Sequence, residues 1–185
     1  MKTIKTLLVA MTAAAVFGCS GGELTDNASP VELVANTSQN LHQLSINGGD
    51  GCEQPVGTVE FLAIPKNPTS TGDFLDVRVQ RYRVSYVRTD GGTAVPASFT
   101  RSADTLVTAG GGPQSFSSFL IVQPGAYFQS PFAALQTGDG RDPVTRQPFV
   151  RMDVIIEFFG ETLGGDNVKT TTRFSLDFCV SCGCF

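Results

Sequence analysis

Short runs of Val, Ile, Phe and Tyr recur along this chain, and most are closed by Gly, Pro, Asn or Asp. Runs of that length, bounded by turn formers, predict strands rather than helices. Val31 to Ala35 reads as a first edge strand, and Asn36 to Gly51 as a polar loop. Thr58 to Ile64 is a strand ended by Pro65 and Pro68. From Phe74 to Arg88 the pattern changes phase: Val77 and Val79 are odd-numbered, whereas Tyr82, Val84 and Tyr86 are even-numbered. Side chains alternate strictly along a strand, so a bulge or a change of sheet is expected near Gln80-Arg81. Thr105 to Val107 and Ser115 to Val122 are further strands, and Tyr127 to Pro148 reads as a long connection between sheets. Val150 to Phe159 and Val168 to Phe178 form a hairpin that sets Phe174, Leu176 and Phe178 on one face. About seven strands at this spacing predict an all-β domain, an immunoglobulin-like β-sandwich.

Composition fits that class. The chain has 185 residues, 41% of them hydrophobic, with 20 Gly and 10 Pro, enough apolar content for one domain with a real core. Its net charge is −4 and it has no basic block, which argues against a nucleic-acid surface, since that needs Lys and Arg to displace counterions.

The first residues stand apart. Lys2 and Lys5 precede an uncharged stretch from Thr6 to Phe17, a secretory signal too short to span a membrane. Val16, Gly18 and Cys19 at its end resemble the lipobox of bacterial lipoproteins, although Phe17 is bulkier than that family's usual occupant. The resemblance implies a signal peptide over 1–18, diacylglyceration of the Cys19 thiol, and a tether over 19–30 leading to a domain over 31–185. Ser20 after the acylated position resembles the outer-membrane sorting signal. The expected location is the cell envelope, lipid-anchored, at the outer membrane, on a face the residues do not specify. A coil of this length reaches under roughly 20 Å on average, so the domain stays near the membrane.

The segments Tyr82-Arg83-Val84-Ser85-Tyr86, Asp90-Gly91-Gly92, Val95-Pro96 and Ile156-Glu157-Phe158-Phe159-Gly160 resemble small uncharacterised bacterial envelope lipoproteins with sandwich-like domains. The resemblance implies fold and location and transfers no activity.

Four further cysteines remain: Cys52, Cys179, Cys182 and Cys184. In an exported chain an even count reads as two disulfides. One residue separates Cys182 from Cys184, the least comfortable bridge, so Cys52 is expected to reach one of those two. Such a bridge closes a loop of about 130 residues, a constraint of roughly 4–5 kcal/mol in the chain-entropy model. Four thiolates could also hold zinc or iron, but structural zinc motifs bring two separated C-x-x-C knuckles. Thiol exchange at Cys179/Cys182 would want a helix N-terminus, and here the pair follows a strand.

Other chemistry is sparse. His42 is the one histidine, the chain holds no G-x-S-x-G, and the glycine runs 48–51 and 110–112 lack the Lys-Ser/Thr of a phosphate loop. Asp139, Asp142, Asp153, Glu157 and Glu161 are available for acid–base work, and Asp139 with Asp142 for a calcium turn, but solvated faces and turn stabilisation explain them more simply. Tyr82 and Tyr86 share one face of a strand with Arg81 and Arg83 beside them; exposed, they would form a binding face, and buried, they are core. The expected function is a structural or protein-binding lipoprotein domain with an envelope protein as partner, no cofactor and no catalysis. Its rivals are a redox or metal protein using the C-terminal cysteines, and a calcium- or glycan-binding surface module.

Overall fold

The phase change in the Val77 to Arg88 strand is a bulge. In a computed structural model that describes residues 29–37, 43–47, 56–180 and 182, the pairing of this strand with the one at 149–162 jumps from Val79 opposite Gly160 to Arg81 opposite Phe159. Gln80 is the extra residue, and it lets Val77, Val79, Tyr82, Val84 and Tyr86 all face the core. Gly160 lies at the bulge because the backbone there is close: a Cβ at that position would meet the Arg78 carbonyl oxygen at 2.7 Å.

Eight strands are described: β1 (Val31–Thr37), β2 (Gln43–Ser45), β3 (Val56–Pro65), β4 (Val77–Arg88), β5 (Phe99–Val107), β6 (Gln114–Leu120), β7 (Phe149–Thr162) and β8 (Asn167–Cys179), with one short helix, α1 (Phe132–Thr137). They form a three-stranded sheet ordered β1-β3-β6 and a five-stranded sheet ordered β2-β8-β7-β4-β5. The fold is all-β with two sheets. Alternate residues of β3 (Val59, Phe61, Ala63) and of β7 (Val150, Met152, Val154, Ile156, Phe158) supply much of the buried core. Phe61 meets Phe158 edge-on with ring centroids 4.8 Å apart, a geometry that adds about 0.5–1.5 kcal/mol to the burial itself.

Two sequence expectations need correction. The 36–51 stretch is not all loop: Gln43–Ser45 runs parallel to β8, with Leu44 opposite Phe178, and Leu44 and Ile46 are buried. Three residues are too few for a local signal, and the strand exists because β8 offers an unpaired edge there. The 127–148 connection does link the two sheets, but it contains α1, whose Phe132 and Leu135 are fully buried at the i, i+3 spacing of one helical face.

The connections collect at two ends. Val31 lies opposite Pro65, Lys66 N–H donates to the Pro30 carbonyl at 2.9 Å and Leu163 N–H to that of Asp76 at 2.8 Å. The incoming chain, the 66–76 connection and the β7–β8 turn therefore share one end. The 89–98 and 121–148 connections and the end of β8 lie at the other, where Phe149 pairs with Cys179.

Candidate functional site

The four residues considered as a binding face divide between two faces of β4. Tyr82 and Tyr86 are core, 3% and 7% exposed, so the tyrosine stripe is a packing stripe. The bulge is the reason: it turns both rings inward while leaving Arg81 and Arg83 on the solvent side. The hydroxyls span the sandwich, with Tyr86 Oη donating to the Ile121 carbonyl at 2.7 Å and Tyr82 Oη accepting the Leu120 N–H at 3.1 Å. Burial pushes the Tyr86 phenol well above its ordinary value.

Arg81 and Arg83 belong to the outer face of the five-stranded sheet, where charges alternate across strands. The Arg81 guanidinium lies 5.1 Å from the Phe159 ring centroid, and Lys169 Nζ lies 5.5 Å from the same centroid while pairing with Glu157 at 2.7 Å. Arg83 approaches Glu157 at 3.9 Å, and Gln80 donates to Glu161 at 3.4 Å. Asp153 accepts from the Ser175 hydroxyl and the Arg173 guanidinium. The Ser175 bond is the largest influence on this carboxyl; with Arg173 it outweighs burial and holds Asp153 below the usual carboxylate range.

At the end remote from the incoming chain, three charges are buried together. Arg88 binds Asp90 at 2.7 Å and Asp142 at 3.2 Å, with side chains 2%, 6% and 2% exposed in that order. Burial alone would raise both carboxyls, but Arg88 and backbone N–H donors overcome it and both lie below their ordinary values. Asp142 accepts the N–H groups of Val144 and Thr145, which makes it a turn-stabilising residue. Asp139 is exposed with φ 54° and makes a glycine-like bend beside it. Among the described residues, no three His, Cys, Asp or Glu side chains cluster as metal ligands would.

Cys179 and Cys182 are disulfide-bonded, with Cα atoms 5.8 Å apart. The pair closes the end of β8 and borders an open cavity of about 580 Å³ with Gln43, Gln136 and Phe149. Cys19, Cys52, Cys184 and His42 lie outside the described residues. Missed in the sequence was the end where the chain enters, which holds a cavity of about 460 Å³ lined by Ile64, Gly72, Leu75 and Ala109. A signal for that end was available in Leu163, a large apolar residue within the turn between β7 and β8.

No helix among the described residues is long and apolar enough to cross a membrane. In comparisons with known proteins, no family model, curated protein or solved structure matches the chain.

Proposed function

We propose that this chain is an envelope lipoprotein, lipid-anchored through Cys19 at the outer membrane, whose immunoglobulin-like sandwich serves a structural or protein-binding role without catalysis. The strand order supports the sandwich class: β4, β7 and β8 lie side by side as the third, sixth and seventh strands of immunoglobulin domains do. In this reading the first strand divides, β1 joining one sheet while β2 runs parallel to the last strand of the other.

The observation that carries the non-catalytic reading is what the carboxylates do. Asp142, Asp153, Glu157 and Glu161 each hold a structural partner, and Asp142 and Asp153 are shifted toward ionisation, opposite to what a general acid at neutral pH requires. A protein partner meets the domain at the outer edge of β6, whose sequence QSFSSFL has no charge to discourage strand addition.

The test of the anchor is the Cys19→Ala variant of the full chain in its envelope. The wild type should fractionate with membranes and carry acyl mass on Cys19, while the variant should be released or left unprocessed. A variant that is processed and retained like wild type would overturn the proposal. A benzophenone cross-linker at Ser115 should capture one envelope protein, and none from Ser85 on the outer face of β4.

One observation favours a redox reading: the C-x-x-C disulfide borders an open cavity. That reading predicts reduction of Cys179–Cys182 by mild dithiol in the folded state, whereas a structural bridge stays closed until unfolding.

A further inference from the structure

The chain joins the domain at a fixed point. Ser29 is buried and its hydroxyl accepts the Val31 N–H at 3.2 Å, and the Pro30 carbonyl is tied to Lys66. That same end carries Ile64, Phe74 and Leu163, which are 41%, 54% and 55% exposed. Phe74 and Leu163 are held side by side on separate connections, because Gly164 N–H donates to the Phe74 carbonyl at 2.8 Å and Leu163 N–H to the Asp76 carbonyl at 2.8 Å. Ile64 and Leu75 line a cavity at the same end. The opposite end also exposes Val95, Phe128 and Val144, at 40%, 83% and 64%, so exposure alone does not choose between the two ends and the point of attachment must.

Covalent reach then decides which end can meet a membrane. The eleven peptide steps from Cys19 to Pro30 span at most roughly 40 Å when fully extended, and roughly 18 Å as a coil. β7 has 14 residues, so the sandwich is roughly 45 Å from one end to the other. A lipid at Cys19 thus brings the Pro30 end to the bilayer and holds the opposite end, with Phe128 83% exposed, away from it.

We propose that the loop end bearing Phe74, Leu163 and Ile64 seats on the bilayer surface, its apolar side chains entering the boundary between headgroups and acyl chains. The proposal rests on lipid attachment at Cys19 and specifies what that anchor presents to the membrane. The diacylglyceryl group at Cys19 supplies stable attachment, and apolar contact at this end adds orientation to it. The 66–76 connection carries Asp73 as well as Lys66, both exposed, so apolar burial rather than attraction to anionic lipid drives the contact. The membrane-facing orientation also turns the 121–148 connection and the Arg88 cluster outward.

The chain contains no Trp, so a single Trp placed by substitution reports position unambiguously. Full-length lipidated protein carrying Phe74→Trp or Phe128→Trp is reconstituted into phosphatidylcholine vesicles with and without brominated acyl chains. The Phe74→Trp emission should shift to the blue and lose most of its intensity to the brominated lipid, while the Phe128→Trp emission should be unchanged. Equal quenching of the two, or an unquenched Phe74→Trp reporter in protein that floats with the vesicles, would overturn the seating while leaving the anchor intact. Absence of acyl mass on Cys19 in protein recovered from its native envelope would overturn the anchor and the seating together. Quenching abolished by Leu163→Ser and Ile64→Ser with flotation retained would assign the contact to this patch, and quenching unaffected by them would overturn that assignment.

Discussion

Arg88 and Asp142 are separated by 54 positions in the chain and by 3.2 Å in the fold. Arg88 ends β4, Asp142 lies in the connection between the two sheets, and the guanidinium also holds Asp90 of the following turn at 2.7 Å. Asp90 in turn accepts the N–H groups of Gly92 and of Arg151 on β7. One cation thereby orders three separate stretches of chain at the end remote from Pro30. A buried pair of this kind repays its desolvation only when every lone pair finds a donor, as the Asp142 contacts with Val144 and Thr145 illustrate.

Arg88→Met should leave two carboxylates buried without their cation and destabilise the domain by about 3 kcal/mol. Chemical denaturation should register the loss, and Arg88→Lys, which keeps the charge but lacks the fork that bridges two carboxylates, should fall between Met and wild type. A Met variant as stable as wild type would show that the cluster does not order this end.

Asp90, Asp142 and Asp153 all have folded-state values below their ordinary one. Groups of that kind contribute stability that is complete above the unfolded value of about 3.9 and is lost as pH falls through the folded values. Denaturation midpoints should therefore be level from about pH 7 to 5 and fall steeply below about pH 4. The slope should be shallower in Arg88→Met, because the unpaired carboxyls already favour their protonated forms. Identical slopes in the two proteins would dissociate the acid sensitivity from this cluster.

Tyr86→Phe removes the hydroxyl that donates to the Ile121 carbonyl and should cost about 1–2 kcal/mol, the usual penalty for stranding a buried acceptor. Tyr82→Phe removes the acceptor of the Leu120 N–H and should act in the same direction. Because the two hydroxyls tie the five-stranded sheet to the last residue of β6 and the first beyond it, amide exchange should accelerate at residues 120–122 in both variants.

With Cys179 bonded to Cys182, Cys184 is the partner left for Cys52. Ile46 N–H donates to the Cys179 carbonyl, and Cys52 is six residues beyond Ile46, so the reach of about 20 Å covers the approach. Peptide mapping of oxidised protein should recover a Cys52–Cys184 cross-link, and Cys52→Ser should expose one alkylatable thiol, at Cys184. Recovery of Cys52 joined to Cys179 or Cys182 would refute this pairing.

Much of the fold is legible in the chain because strands advertise themselves locally. The alternation in β7 and β8, the Pro65 and Pro68 stop after β3, and the phase change at Gln80 each arise within a dozen residues, where side-chain period and turn chemistry act directly. The three-residue strand Gln43–Ser45 was not legible, since its cause is the edge of β8 more than a hundred residues away. α1 was hidden for a related reason: six residues between Pro131 and Gly138 carry too little periodicity to stand out from a loop.

The candidate sites separate along the same line. Residue type and spacing alone carry the resemblance to an export signal and to a lipobox at Cys19, and the supply of cysteines, because such features are recognised on short linear segments. Whether Tyr82 and Tyr86 face solvent or core, and which carboxylate Arg88 neutralises, was decided only when the sheets packed. Both depend on burial, and burial is a property of surfaces brought together from distant parts of the chain.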